Sequence, residues 1–152
     1  MPHLGGDAHC IRSAIVEALG AVLVYALVPG SPEDESLLTG DQIHARVRSK
    51  QHVLDALIAR AADTSAFTRS RVMHTWAFVA ERRSIPISHW NAVARLVLER
   101  MRDKAALVRR SAMQCAQTML FHNPFGSQLH LATLEKTLKV YEERLAAAKE
   151  AK

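Results

Sequence analysis

The segments "DKAALVRRSAMQ", Asp103 to Gln114, and "DTSAFTRSRVMH", Asp63 to His74, share a pattern in which an Asp precedes an Arg by six positions. The arginines are Arg69 and Arg109, and they are separated by the same interval as the two aspartates. When the segments are superimposed at that offset, their apolar positions coincide: Val72 falls on Ala112, Trp76 on Ala116 and Val79 on Met119. The pattern therefore indicates a repeating helical unit.

A weaker third copy, "GDAHCIRSAIVEAL", has Arg12 in the place of the Arg and Gly6 in the place of the Asp. The interval from Arg12 to Arg69 is longer than that from Arg69 to Arg109, and the polar segment 29–40 accounts for most of the excess. Helix pairs that repeat at about 40–47 residues are typical of HEAT and armadillo arrays, in which stacked pairs share one core. The predicted fold is all-α: an α-solenoid of about three HEAT-type helical hairpins plus a charged C-terminal helix.

The predicted domains are the helical repeats of residues 1–126, which include an acidic loop at 29–40, and a charged amphipathic helix at 127–152. Apolar spacings of three and four define the core-facing stripe expected of each helix. In the first three predicted helices these stripes are Ile11, Ile15, Ala18, Leu19, Val22, Leu23 and Ala26; Ile43, Val47, Leu54, Leu57, Ile58 and Ala61; and Val72, Trp76, Val79 and Ala80. In the C-terminal helix the stripe is Leu131, Leu134, Leu138, Tyr141 and Leu145. Asp41 and Ser88 are expected to cap the second and fourth helices.

The repeated Asp and Arg are interpreted as a structural ladder made of Asp63, Arg69, Asp103 and Arg109. The Asp is expected in the turn of each hairpin and the Arg in the first turn of its second helix. Arg109 would then reach Asp63 of the preceding unit, or its own Asp103. Because an exposed ion pair contributes only about 0.2–1 kcal/mol, the ladder would set register more than stability.

Motifs of catalysis and metal binding are not found in the sequence. It contains no CxxC, no HExxH, no glycine-rich phosphate loop and no GxSxG. We therefore expect no catalytic residue, no metal site and no cofactor, and an enzyme on this scaffold is the least favoured hypothesis. Cys10 and Cys115 are expected to be reduced thiols that pack as small hydrophobic side chains. The apolar stretch 18–28 is too short to cross a bilayer, which takes about 20 residues.

Positive charge is concentrated in the centre of the chain. Residues 42–110 contain 14 Lys and Arg against 5 Asp and Glu, whereas the whole chain carries +5. A basic centre suits double-stranded DNA, bound without sequence preference, or an acidic partner segment, and it is equally typical of a solvated helix surface. The candidate residues for a polyanion are Arg71, Arg102, Lys104 and Arg110. The alternative function is a HEAT or armadillo-type adaptor that recognises an acidic peptide.

Several short motifs resemble the condensin subunit 1 family, the HEAT-repeat regulatory subunits of condensin. They are Arg69-Ser70-Arg71-Val72, Trp76, Ile85-Pro86, Trp90-Asn91, Arg100 with Asp103-Lys104, Val108-Arg109-Arg110-Ser111-Ala112 and Asn123-Pro124-Phe125. The first segment "HLGGDAHCIRSAIVEALG" is also similar to that family. The resemblance covers most of residues 3–126 and is most specific from Asp103 to Phe125.

The resemblance implies a non-enzymatic scaffold or regulatory segment that contributes to mitotic chromosome condensation. Its partners would be the condensin kleisin subunit, the SMC ATPase subunits and double-stranded DNA, with no membrane. Its location would be the nucleus and mitotic chromosomes, and also the cytoplasm. Because members of the family are far longer than 152 residues, the chain is expected to correspond to an interior piece.

Overall fold

The computed structural model describes residues 4–26, 39–125, 135–136 and 138–143. The chain divides into two compact units, residues 1–122 and residues 123–152. The first unit contains the helices α1 (Leu4–Ala21), α2 (Gly40–Arg60), α3 (Ala66–Glu81), α4 (Ile87–Arg100) and α5 (Ala106–Phe121), and α1 continues as a π-helical turn, Val22–Ala26. In the second unit, residues 135–136 and 138–143 are helical. No strand occurs among the described residues.

The helices of the first unit form stacked hairpins. Short turns at 61–65 and 101–105 join α2 to α3 and α4 to α5, and α1 takes the place of the second helix of a unit. The second helices form one layer in which α3 packs extensively against both α1 and α5. This arrangement confirms the predicted all-α solenoid.

The core lies between the layer of second helices and the inner faces of α2 and α4. Trp76 of α3 is fully buried at its centre, as are Val72 and Val79 on the same stripe. The largest contributions from the other helices are Val16, Leu23, Leu54, Leu57, Val93, Val97 and Val108. Cys115 packs among them as the sequence predicted, and burial raises the pKa of its thiol to about 12. Cys10 is exposed, so the prediction that it packs as a small hydrophobic side chain is wrong.

Two of the predicted helix starts are wrong. The N-cap of α2 is Thr39 rather than Asp41, and the Thr39 N–H donates to Oε1 of Gln42 at 2.9 Å, as in a capping box. The N-cap of α4 is Pro86, and Ser88 contacts the neighbouring His89 instead. The last two positions of the predicted loop, 39 and 40, therefore belong to the start of α2, and residues 29–38 lie outside the described residues.

The predicted core-facing stripes of α1 and α2 are wrong in part. Ile11 is 61% exposed and Ile15 is 52% exposed, because α1 turns its other face, with Val16 and Gly20, toward the core. Ile43 and Val47 are exposed as well, since only the second half of α2 is covered by its neighbours. Leu138 and Tyr141 of the second unit are exposed, and the predicted Leu131, Leu134 and Leu145 lie outside the described residues.

Helix α1 is apolar on more than one face. By length and composition alone, Ala8–Ala26 could cross a membrane, with a mean hydropathy of 1.4, and this segment is longer than the stretch 18–28 considered from the sequence. The core helix of a soluble protein has the same composition. Here Val16, Leu23 and Val24 pack into the core of the solenoid.

A close approach between α1 and α3 depends on a glycine. A Cβ added at Gly20 would overlap Cγ2 of Thr75, which is itself buried. The next contact in the same layer, between α3 and α5, is also made by small side chains: Ser70 and Ser111 share a hydrogen bond of 2.8 Å between their Oγ atoms. Small residues therefore set the spacing of the second helices.

The Asp–Arg ladder is present, and it runs forward along the chain. Arg12 donates from Nε and Nη2 to the carboxylate of Asp63 at 2.9 and 3.1 Å, and Arg69 donates likewise to Asp103 at 2.8 Å for both bonds. Each Arg thus reaches the Asp of the following unit. The expected bond from Arg109 back to Asp63 is wrong, and Arg109 reaches its own Asp103 only at the backbone carbonyl, at 2.9 Å.

Both carboxylates of the ladder also close their own turns. Oδ1 of Asp63 accepts the Ser65 N–H, and Oδ1 of Asp103 accepts the Ala105 N–H, each at 2.9 Å. At Asp103 the hydrogen bonds from Arg69 are the main cause of a lowered pKa, and they outweigh the opposing effect of burial. At Asp63 burial is the largest single influence and acts to raise the pKa, but the hydrogen bonds from Ser65 and Arg12 together lower it.

We predict that Gly20→Ala destabilises the fold by up to about 2 kcal/mol. Replacing a mid-helix glycine by alanine normally gains up to about 1 kcal/mol. Overpacking against Thr75 costs about 1–3 kcal/mol and should exceed that gain. Urea unfolding measures the difference, and Thr75→Ser, which removes the clashing methyl group, should restore stability in the Gly20→Ala background.

Gly40→Ala is the matched control for this prediction. Gly40 is the first residue of α2, and an added Cβ would meet nothing within 4 Å. We expect this variant to be at least as stable as the parent. A Gly20→Ala variant as stable as Gly40→Ala would contradict the close approach of α1 and α3.

We predict that the fold loses stability as the pH falls below about 4. The hydrogen bonds from arginine and from the turn N–H groups hold the pKa of both carboxyls below its usual value in the folded chain, so the unfolded chain binds more protons in acid. Stabilisation by the ladder is therefore complete above about pH 4 and is lost as the pH falls through the folded pKa values. Urea unfolding at pH values from 7 to 2 measures this loss.

Asp103→Asn tests whether the ladder causes that acid sensitivity. The pair it breaks is buried, with side chains 6% exposed for Arg69 and 4% for Asp103, so the cost at pH 7 should be about 3–5 kcal/mol. The variant should also lose less stability between pH 7 and pH 2 than the parent does. An equal acid-induced loss in both proteins would assign it to other carboxylates.

Candidate nucleic-acid interface

The turns 61–65 and 101–105 lie side by side and form one edge of the first unit, which we call the turn edge. A groove of ≈ 410 Å³ lies between the two turns. It is lined by Ala62, Asp63, Thr64, Arg69, Glu99, Arg100, Arg102, Asp103 and Lys104. The lining is mainly charged, and cations outnumber carboxylates.

We call one ladder Asp, together with the arginines bound to it, a rung. Each rung contains one carboxylate and two arginines. Asp63 is bound by Arg12 and also by Arg60, whose Nη1 lies 3.4 Å from Oδ2. Asp103 is bound by Arg69, and the Nη1 of Arg100 lies 3.5 Å from its Oδ2. Since the two carboxylates are almost fully buried and Arg60 is half-exposed, the unneutralised positive charge faces the solvent.

Three of the predicted polyanion-binding residues lie on or beside this edge. Arg102 and Lys104 are exposed in the turn between α4 and α5, where they line the groove. Arg110 is exposed in the first half of α5, directly after Arg109. Guanidinium groups suit phosphate because their donors match its oxygens in pairs, and an ammonium group acts as a point charge.

Arg71, the fourth predicted residue, lies elsewhere. It belongs to the outward face of α3, where its Nη1 contacts Oε1 of Glu17 on α1 at 2.6 Å. Both side chains are about half-exposed. The structure therefore separates Arg71 from Arg102, Lys104 and Arg110 and gives it a partner that the sequence did not indicate.

The outward face of α3 separates two apolar grooves that share His74 and Phe78. One groove, of ≈ 290 Å³, lies between α1 and α3, and the other, of ≈ 400 Å³, lies between α3 and α5. The ring of Phe78 contacts Tyr25 and carries the guanidinium of Arg82 at 5.6 Å. Burial and the nearby Arg71 charge lower the pKa of His74, which favours the neutral imidazole.

Arg60 and Arg100 also belong to the turn edge, although neither is among the four candidate residues for a polyanion predicted from the sequence. The signal was present, because an Arg stands three positions before each ladder Asp. On the last turn of a helix that spacing brings the guanidinium over the following turn. In the part of the chain that the structure describes, no group of His, Cys, Asp and Glu could hold a metal ion.

The chain is similar to known proteins over nearly its whole length. It is 43% identical over 147 residues to the condensin-1 complex subunit CAP-D2 of Arabidopsis thaliana, which is 95% of this chain and 10% of that protein. It is 29% identical over 146 residues to condensin complex subunit 1 of Homo sapiens, again 95% of this chain and 10% of the relative. The subunit of Schizosaccharomyces pombe is 27% identical over 150 residues, 93% of this chain and 12% of that protein.

Neither a family model nor a solved structure matches the chain. The chain spans about a tenth of the length of the curated relatives it matches. These relatives come from a plant, a vertebrate and a fungus, and all are named as subunits of a condensin complex. The resemblance seen in the sequence motifs is therefore confirmed, and the chain belongs to the condensin subunit 1 family.

Proposed function

We propose that this chain acts as a non-catalytic scaffold of condensin and contributes to mitotic chromosome condensation by presenting its turn edge to the DNA backbone. The observation that carries the proposal is that arginines outnumber carboxylates at both rungs. Asp63 is bound by Arg12 and Arg60, and the next rung has the same composition around Asp103. The family supplies the chromosomal setting, and the turn edge supplies the contact surface.

The turn edge has the chemistry of a sequence-independent DNA contact. Its cations are carried by the turns and by the last residues of α2 and α4. Contacts of that kind go to phosphate oxygens, which position a protein on the duplex without reading bases. Binding should therefore depend steeply on salt, because each neutralised phosphate releases counterions.

We expect the chain to contact other subunits of condensin as well. Condensin subunit 1 relatives belong by name to the condensin complex, so the expected partners are its kleisin subunit and SMC ATPase subunits. The matching location is the nucleus and mitotic chromosomes, with a cytoplasmic pool. No enzymatic activity is proposed, because the sequence contains none of the catalytic motifs named above.

A second candidate function is recognition of an acidic peptide. The two grooves beside His74 and Phe78 favour it, since Arg82 lies over the Phe78 ring and Arg71, which is paired with Glu17, lines the groove between α1 and α3. Such a peptide would bury apolar side chains in the grooves and place its carboxylates near these arginines. This surface differs from the turn edge, so variants can separate the two functions.

We predict that Arg102→Glu combined with Lys104→Glu weakens binding to duplex DNA and makes it less dependent on salt. Losing two phosphate contacts should lower the slope of log affinity against log salt by about 2. Fluorescence anisotropy of a labelled duplex over a salt series measures the slope. Adding Arg110→Glu should lower it further by about 1.

The matched control is Arg48→Glu combined with Arg95→Glu, which changes the net charge equally at exposed positions outside the turn edge. This control should keep the slope of the parent, as should Arg71→Glu. If the control and the turn-edge variant weaken DNA binding equally, the affinity depends only on the net charge of the chain, which would contradict a specific role for the turn edge. No binding of the parent to DNA at low salt, together with binding to an acidic peptide that Arg82→Glu weakens, would favour the second function.

A further inference from the structure

Three aromatic side chains lie at one end of the layer of second helices. Tyr25 is in the π-helical turn after α1, Phe78 is in the last turn of α3, and Phe121 is the last residue of α5. Helix α3 begins at the turn edge, so its 16 residues place this end of the layer about 24 Å from that edge. We call these three residues, together with Arg82 and Arg83, the aromatic edge.

The rings of the aromatic edge are open to the solvent and close to one another. Tyr25 is 67% exposed and Phe121 is 76% exposed. The ring centroids of Tyr25 and Phe78 are 6.2 Å apart, and Phe78 and Phe121 line the same groove between α3 and α5. Aromatic side chains supply most apolar contact area when they are buried, so a group of exposed rings indicates a binding surface.

Two arginines accompany the rings. The guanidinium of Arg82 lies 5.6 Å from the ring centroid of Phe78. Arg82 and Arg83 are both exposed, and neither forms a salt bridge with a residue that the structure describes. The aromatic edge therefore combines flat apolar faces with cations that are available to an anion.

Arg83 has a backbone conformation that favours glycine. Its φ is 52°, and no other non-glycine residue in the described ranges has a positive φ. The Arg83 N–H donates to the carbonyl of Ala80 at 2.9 Å, and the Ser84 N–H donates to that of Val79 at 3.0 Å, as in a Schellman motif. Glycine is the usual residue there, because a Cβ crowds the backbone in this conformation. An arginine at such a position points to a function of its side chain.

We propose that the aromatic edge binds single-stranded nucleic acid. Unpaired bases would stack on the exposed rings of Tyr25 and Phe121, and the phosphates between them would contact Arg82 and Arg83. Base stacking on aromatic side chains combined with arginine–phosphate contacts is the general chemistry of single-strand binding. A duplex keeps its bases stacked on one another, so this ligand differs from the duplex proposed for the turn edge.

A carboxylate in the groove between α3 and α5 determines how the strand would lie. Glu81 is exposed and lines this groove together with Phe78 and Phe121. A carboxylate repels phosphate, but it accepts a hydrogen bond from the exocyclic amine of a base, as it does from cytosine. The base would therefore enter the groove and the phosphates would stay outside it. An acidic peptide would bring its own carboxylates toward Glu81, so an unpaired base fits this groove better.

Fluorescence anisotropy of the complete chain with a labelled strand of cytosines about 12 nucleotides long tests the proposal. Parallel titrations use the same strand as RNA and a DNA strand of equal length without bases. The strands with bases should bind at least about tenfold more tightly than the abasic strand, because stacking on one ring changes affinity by about five- to a hundredfold. The tighter of the DNA and RNA strands identifies the source of the bases.

Substitutions of single rings test which surface is used. Phe121→Ala and Tyr25→Ala should each weaken binding about tenfold, whereas Phe121→Tyr and Tyr25→Phe keep a ring and should keep the affinity. The matched control is Phe67→Ala, because Phe67 is 63% exposed and lies in the first turn of α3, at the other end of the layer. This control should bind the strand as the parent chain does.

Arg83→Gly tests the role of the strained arginine. It should lower the unfolding constant in urea about fivefold, because glycine adopts the conformation without strain. It should also weaken binding and lower the slope of log affinity against log salt by about 0.7, as expected for one lost phosphate contact with a single strand. Arg95→Ala removes one exposed charge from α4 and should leave this slope unchanged.

Three results would overturn the proposal. They are equal binding of the abasic strand and the strands with bases, equal losses from Phe121→Ala and Phe67→Ala, and a glutamate-rich peptide that binds more tightly than either strand and is lost with Phe121→Ala. The last result would assign the edge to the second candidate function. Arg102→Glu combined with Lys104→Glu should keep the difference between strands with and without bases, so the outcome does not depend on whether the turn edge binds a duplex.

Discussion

A buried aspartate in each turn joins neighbouring helical hairpins. The carboxylate of Asp103 accepts the N–H of Ala105 in its own turn and two hydrogen bonds from Arg69 of the preceding unit. One side chain therefore fixes both the local conformation of the turn and the position of the next unit. Because Asp63 repeats the arrangement with Ser65 and Arg12, the stacking register is set at the turns. Packing of the apolar layers then supplies most of the stability.

The same arrangement explains why a scaffold of this kind carries a positive edge. Each carboxylate points inward, where it binds its arginine. Because only 3% of the Asp63 side chain and 4% of the Asp103 side chain are exposed, their negative charge is shielded from the solvent. The arginines that stand three positions before it, Arg60 and Arg100, keep part of their surface exposed. The ion pairs that stabilise the stacked hairpins therefore leave a row of cations exposed to the solvent. The basic edge proposed to meet DNA is a consequence of the fold rather than an addition to it.

The repeat and the helix types could be predicted from sequence, because both follow from local spacing. Val72, Trp76 and Val79 lie on one buried stripe, as expected from their periodicity. The direction of the ladder could not be predicted, since an Asp six positions before an Arg is compatible with pairing within a unit, backward or forward. The direction of the ladder depends on the stacking of α3 between α1 and α5.

Apolar periodicity also led to a wrong prediction of core residues in α1. Ile11 and Ile15 belong to a valid helical stripe, but α1 is rotated so that its other face meets the core. Contacts between units depend on rotation about each helix axis, which periodicity leaves open when a helix is apolar on two sides.

Close packing in one layer has a further physical consequence. Gly20 against Thr75 and Ser70 against Ser111 let α1, α3 and α5 approach closely, whereas α2 and α4 make few contacts with each other. Stacked pairs whose second helices are closer than their first helices must rotate slightly from one unit to the next, which gives solenoids their curvature. The glycine and the serines therefore determine how the turn edges follow one another, and with them the spacing of the cations. A larger side chain at Gly20 would change that spacing as well as the packing, so the residues that serve the packing also govern the surface offered to a partner.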